Sequence, residues 1–127
     1  MKTYLHHHSV PFKDTDMAGV VHYTSILGYV ELAEHAFLKQ LGIPPISERG
    51  GLPKVHVECD YLSPLRFGDD VLIELSLAKL SPRSIHWGFQ VTVNDKISAK
   101  GKFITAHVDA SGSPSEMPLH WQSLLAE

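Results

Sequence analysis

Ahead of a long amphipathic stretch, the residues Lys13-Asp14-Thr15-Asp16-Met17-Ala18-Gly19-Val20-Val21-His22-Tyr23 combine two carboxylates, an imidazole and a phenol with an apolar pair. They run directly into a helix start. A helix N-terminus offers unpaired backbone N–H groups and a partial positive charge, so a carbonyl placed there is polarised as its oxygen gains negative charge. Tyr23 is the best-placed amide donor. An ordinary aspartate is anionic near neutral pH, so a carboxylate across that carbonyl could attack it or deprotonate a water. Asp14 and Asp16 both qualify by type. In an extended segment residues two apart share a side, so the two would repel and one carboxyl would rise in pKa. The competing role for Asp14, Thr15 and Asp16 is turn hydrogen bonding, common for these residue types ahead of helices.

The elements that must hold this loop follow from hydrophobic period. Ile26, Val30, Ala33, Phe37 and Leu41 recur at spacings of three and four, and Gly42 with Pro44-Pro45 supplies a stop, which predicts a helix over Thr24 to Leu41. Its polar residues Glu31, Glu34, His35 and Lys39 make only a narrow stripe, whereas Leu27, Tyr29, Leu32 and Leu38 widen the apolar surface. Such a helix is expected to be wrapped. A first strand reads over roughly Tyr4 to Phe12. After the helix, Val55, Val57, Cys59 and Tyr61 alternate with polar residues up to Pro64, which predicts a half-buried strand. A further strand runs from Val71 to Leu77, and Ile85, Trp87, Phe89, Val91 and Val93 mark the next. Asn94-Asp95-Lys96 suggests a tight hairpin into a last strand from about Ile97 to Val108, where Gly101 hints at a bulge or a close backbone approach. A helical turn is expected around His120 to Leu125. Short turns between consecutive strands imply antiparallel pairing, so the expected architecture is α+β, a five-stranded antiparallel sheet curled around one long central helix.

At 127 residues and 43% apolar content the chain suits one domain, 1–127. With 11 basic against 14 acidic residues the formal net charge is -3, and no Lys/Arg run reaches five residues, so nucleic acid and anionic membrane are not expected partners. Cys59 is the one cysteine and excludes an intrachain disulfide; without an apolar leader or an 18-residue apolar run, a cytoplasmic location is the expectation. His6, His7 and His8 alternate sides in a strand, and no cluster completes a metal site. Cys59 fits a small core residue rather than a nucleophile, and no serine has a Gly-x-Ser-x-Gly setting.

The run Asp-Thr-Asp-x-x-Gly-Val-Val-x-Tyr before a long helix resembles the signature of the 4-hydroxybenzoyl-CoA thioesterase family, and is similar above all to small bacterial acyl-CoA thioesterases of the YbgC type. Gly51-Leu52-Pro53-Lys54-Val55-His56-Val57, Asp60-Tyr61-Leu62-Ser63-Pro64 and Gly68-Asp69 extend the resemblance over about four fifths of the chain. It implies a hotdog fold, a dimer that often pairs into a homotetramer with the site between protomers, and hydrolysis of acyl-CoA to a carboxylic acid and free CoA without metal or prosthetic group. By position it makes Asp16 the catalytic carboxylate, as nucleophile or general base, with Asp14 its supporting neighbour. Gly19 lets the chain turn into the site, and the Tyr23 amide is the carbonyl donor. His22 stands where many relatives carry Tyr or Trp; it either orients water or leaving group or is a structural histidine bonded to backbone. Glu31 matches a helix carboxylate of the relatives and, about 12 Å along the axis from Tyr23, could meet the acyl end but not the thioester. Its alternative is a helix-face charge paired with His35. Arg83, Lys100 and Lys102 are the candidate contacts for the CoA phosphates. The rival functions are a hotdog dehydratase, for which no acid/base pair is evident at the helix entry, and a non-catalytic acyl-CoA or acyl-carrier binding module. The acyl group itself is left open.

Overall fold

The computed structural model describes residues 2–48 and 50–127. Strand β1 covers Thr3–Ser9, a 3₁₀ turn covers Phe12–Asp14, and helix α1 runs over Tyr23–Leu41. Two-residue strands β2 (Ile46–Ser47) and β3 (Gly50–Gly51) precede β4 (Lys54–Tyr61), β5 (Asp70–Leu80), β6 (Ser84–Val93), β7 (Lys96–Ala106), the short β8 (Val108–Asp109) and helix α2 (Leu119–Ala126). The five long strands form one sheet in the order β1-β5-β6-β7-β4, antiparallel throughout, and β2, β3 and β8 form a small second sheet.

Local chemistry sets these boundaries. The α1 helix ends where Gly42 takes a left-handed φ of 80° and its amide closes on the Leu38 and Lys39 carbonyls. Asn94 and Asp95 both take positive φ, 50° and 64°, in the two-residue turn between Val93 and Lys96, the geometry that matches strand twist. The inward residues Val71, Ile73, Leu75 and Leu77 of β5 and Ile85, Trp87, Phe89 and Val91 of β6 are buried as their alternation predicts. Trp87 stacks on Phe103, meets Phe37 of α1 edge-on, and donates its indole N–H to Thr105 Oγ1 at 3.1 Å, so its one polar atom is satisfied.

The strand order, the burial of β4 and the polar face of the helix differ from expectation. Strand β4 does not sit beside β5, which follows it in sequence. It lies at the sheet edge beyond β7, so the chain crosses the sheet between the two. Nor is β4 half-buried: Val55 is 61% exposed, Val57 44% and Tyr61 43%. The sheet does curl around the helix, with Phe37 packed against Tyr4 of β1 and Trp87 of β6, while on the β4 side Tyr61 and Lys54 reach the helix and leave a cleft between them. The helix's supposed polar stripe is not a solvent face, since Glu34 is buried while Leu32 is exposed.

Gly101 is explained by close approach rather than by a bulge. A Cβ there would collide with the Glu58 carbonyl oxygen of β4 and the Phe89 ring. Gly101→Ala is therefore expected to push β4 away from β7 and to cost about 2 kcal/mol or more, read as a lowered thermal midpoint.

Candidate active site at the N-terminus of helix α1

The segment before α1 folds back on itself. The Asp16 amide bonds the Val20 carbonyl at 2.9 Å, Thr15 bridges Val21, and Gly19 turns the chain with a φ of 79°. Asp16 supports that turn with its side chain: Oδ1 accepts the amides of Ala18 at 2.9 Å and Val20 at 3.3 Å. Its other oxygen, Oδ2, has no hydrogen-bond partner among the described residues, and the side chain is exposed. The loop is pinned to the β4–β5 connection, where Val21 donates to the Leu65 carbonyl at 2.8 Å and Val20 bridges Arg66.

Asp14 and Asp16 do not share a side, because Phe12–Asp14 is a 3₁₀ turn rather than extended chain. Asp14 points to the helix, where Oδ2 accepts the Tyr29 hydroxyl at 2.6 Å. That hydrogen bond, with a smaller contribution from Lys13, holds the Asp14 carboxyl below the ordinary carboxylate range, opposite to the rise expected from mutual repulsion. Burial and the same bond push the Tyr29 phenol up. A carboxyl whose folded pKa lies below its unfolded value contributes stability above the unfolded value and loses it as pH falls through the folded one. Tyr29→Phe should accordingly raise the Asp14 pKa in an NMR titration and cost about 1 kcal/mol at neutral pH, the difference vanishing in acid.

His22 is the N-cap of α1. Its Nδ1 accepts the Thr24 amide at 3.3 Å and lies 2.6 Å from the Thr24 hydroxyl, so a neutral ring carries its proton on Nε2. Ser25 N–H bonds the His22 carbonyl at 2.9 Å. The Tyr23 amide, the first of the helix, has no partner among the described residues. The Tyr23 carbonyl accepts the Tyr61 hydroxyl of β4 at 3.2 Å, and burial pushes that phenol up to about 12.

Between α1 and the sheet lies a cleft of about 190 Å³, with Leu27, Gly28 and Val30 on the helix side and Val57, Phe89 and Phe103 on the sheet side. Tyr61 and Tyr23 stand at one end of this helix–strand seam, and Lys54 closes the other with ion pairs to Glu31 Oε2 at 2.9 Å and Glu34 Oε1 at 2.6 Å. Burial pushes the Glu34 carboxyl up against the pull of Lys54, whereas the partly exposed Glu31 is lowered by its bond to Lys54. Burial opposes the Lys54 charge, but the two carboxylates outweigh it and hold the ammonium proton more firmly than usual. Donor atoms of Glu31, Glu34 and His35 lie within 4.8 Å of one another, as a metal site requires, but the Lys54 ammonium already bonds both carboxylates. Behind Lys54 a larger cavity of about 750 Å³ opens toward the small sheet, lined by His35, Ile46, Leu52 and Val108.

The structure thus gathers Asp14, Asp16, Gly19, His22 and Tyr23 at one end of α1 and puts Glu31 at the far end of the cleft, bonded to Lys54 rather than to His35. It does not bring Arg83, Lys100 or Lys102 to the Asp16 loop within one chain. Arg83 lies in the β5–β6 turn, at the end of β5 away from that loop. Lys100 and Lys102 alternate with the buried Ala99 and Phe103 and so face outward, with Lys102 3.8 Å from Glu58. The cation that does adjoin the loop is Arg66, with Nη1 3.9 Å from where a Cβ of Gly19 would lie and no ion pair among the described residues. Sequence reasoning passed over Arg66, Lys54 and Glu34, although Glu31 and Glu34 at helical spacing facing a strand-opening lysine were a readable signal.

The sequence profile described as Thioesterase-like superfamily matches residues 10–126. A 1,4-dihydroxy-2-naphthoyl-CoA hydrolase from Synechococcus sp. (strain CC9605) is 34% identical over 112 residues, covering 81% of this chain and 75% of the relative. Among solved structures, a 1,4-dihydroxy-2-naphthoyl-CoA thioesterase from Synechocystis superposes with a TM-score of 0.91 at 20% identity, over 99% of this chain and 97% of the other. A gentisyl-coenzyme A thioesterase superposes with a TM-score of 0.87 at 27% identity, over 95% and 98%. The fold is the hotdog arrangement that the sequence resemblance implies. No described helix is long and apolar enough to cross a membrane.

Proposed function

The chain belongs to the thioesterase-like superfamily and is a thioesterase of hotdog fold, and on that premise we propose that it hydrolyses a hydroxylated aromatic acyl-CoA to the free acid and CoA. One observation carries the reading. A carboxylate with one oxygen tied into a turn and the other without a partner among the described residues stands in the loop that leads into α1, the first amide of that helix is likewise without a partner among them, and an apolar cleft with a charged far end runs between the helix and the sheet.

In this account the thioester carbonyl accepts the Tyr23 N–H, and the α1 dipole stabilises the charge that develops on its oxygen. Asp16 Oδ2 either adds to the carbonyl carbon or takes a proton from a water that adds; both routes start from the same oxygen. The C–S bond breaks, water supplies the hydroxyl of the acid, and its proton ends on the CoA thiol. No metal or prosthetic group enters. His22 holds the first turn so that the Tyr23 amide stays aimed, and Asp14 fixes the loop to the helix through Tyr29. Arg66 is the cation beside the loop that suits a CoA phosphate.

The acyl class rests on two supports. The relatives are named for 1,4-dihydroxy-2-naphthoyl and gentisyl thioesters, both hydroxylated aromatic acids. The cleft is small, apolar along its walls and charged at its end, which suits a flat ring carrying oxygen better than an alkyl chain. A homodimer is part of the proposal, because β4 offers an eight-residue free edge with exposed Val55, Val57 and Tyr61 beside the cleft. Thiol-detected CoA release from 1,4-dihydroxy-2-naphthoyl-, gentisyl-, benzoyl- and octanoyl-CoA tests the class. The hydroxylated aromatic substrates should give the highest kcat/KM, and a preference for octanoyl-CoA would overturn it.

A further inference from the structure

We propose that Lys54 is a specificity-determining residue that selects acyl groups carrying an oxygen acceptor on the side of the ring remote from the thioester; this rests on the thioesterase reading above. Lys54 is a lining residue of both the 190 Å³ cleft and the larger cavity behind it, so its head stands at their boundary. The Nζ also lies 5.3 Å from the centroid of Phe103, which floors the cleft.

Its two counterions are not equivalent. The Glu34 side chain is 1% exposed and the Glu31 side chain 50%. Glu34 is therefore a fixed anchor that keeps the ammonium charged and in place, whereas Glu31 can swing to solvent and release a donor. An ammonium has three N–H groups, and Glu34 engages one at 2.6 Å. The donors that remain reward an acyl oxygen and penalise a wholly apolar ring, which would desolvate them without return.

Length agrees with this assignment. Tyr23 and Glu31 are about 12 Å apart along the axis, so allowing about 3 Å of hydrogen bond at each end leaves about 6 Å, enough for one aromatic ring with an oxygen at its far side.

The test uses two non-hydrolysable ligands, 4-hydroxyphenacyl-CoA and phenacyl-CoA, titrated calorimetrically into the whole chain. Wild type should bind the hydroxylated ligand at least about 10-fold more tightly, Lys54→Met should bring the ratio to about one, and Lys54→Arg should restore part of it. Because Lys54→Met leaves Glu34 without its counterion, Glu34→Gln/Lys54→Met carries the same measurement in a charge-neutral setting, with a thermal melt of each variant as the folding control. A ratio near one in wild type, or a ratio that survives both substitutions, overturns the assignment. Ligand preference is read without turnover, so a chain that binds both analogues yet releases no CoA from any thioester refutes the hydrolase reading and leaves the Lys54 result standing on its own.

Discussion

Asp16→Asn should abolish CoA release, by about 10²- to 10⁴-fold in kcat, while acyl-CoA binding and thermal midpoint stay near wild type. Asparagine is the informative replacement because the structure separates the two oxygens of Asp16. Oδ1 accepts the amides of Ala18 and Val20, a task the asparagine carbonyl also performs, whereas the unpaired Oδ2 becomes an amide nitrogen that neither attacks nor accepts a proton. Loss of turnover in this variant thus reports the missing anionic oxygen and not a collapsed loop. Asp16→Ala would remove both functions and lower the midpoint as well. Undiminished kcat in Asp16→Asn would remove Asp16 from the role.

Val55→Asp should convert a dimer into a monomer in sedimentation velocity and lower kcat/KM by more than about 10-fold. Val55 is on the β4 edge at 61% exposure, beside the cleft but not one of the residues that line it, so the substitution removes none of the cleft's walls. A two-fold interface contains each residue twice, so one carboxylate per chain places two like charges in a surface that the native sequence makes apolar. If wild type sediments as a monomer at micromolar concentration, or the variant stays dimeric and active, the shared-edge account of the site fails.

The helix, the inward faces of β5 and β6, the Asn94-Asp95 turn and the Gly101 approach were legible because each is a local property of period or backbone sterics. The exposure of β4 was not, since alternation says which side chains share a face but not whether that face meets a core or another chain. Glu34 shows the same blindness on a helix. A carboxylate four residues from Val30 looks like a solvent charge until a lysine from 20 residues downstream is folded against it. At the site, the turn at Gly19 and the place of Tyr23 at the helix start were readable from the motif, whereas the different settings of Asp14 and Asp16 depended on a 3₁₀ turn that turns Asp14 toward Tyr29. Strand parity puts Lys100 and Lys102 on the outer face, and only tertiary pairing brings Arg66 next to Gly19.

The central claim is that this chain cleaves a thioester rather than merely holding one. Wild-type enzyme incubated with 1,4-dihydroxy-2-naphthoyl-CoA, with free CoA and free acid both quantified over time, tests it most directly. The account predicts equal amounts of the two products, formed over many turnovers without added metal. Substrate bound but recovered intact would contradict it and leave a binding module in its place.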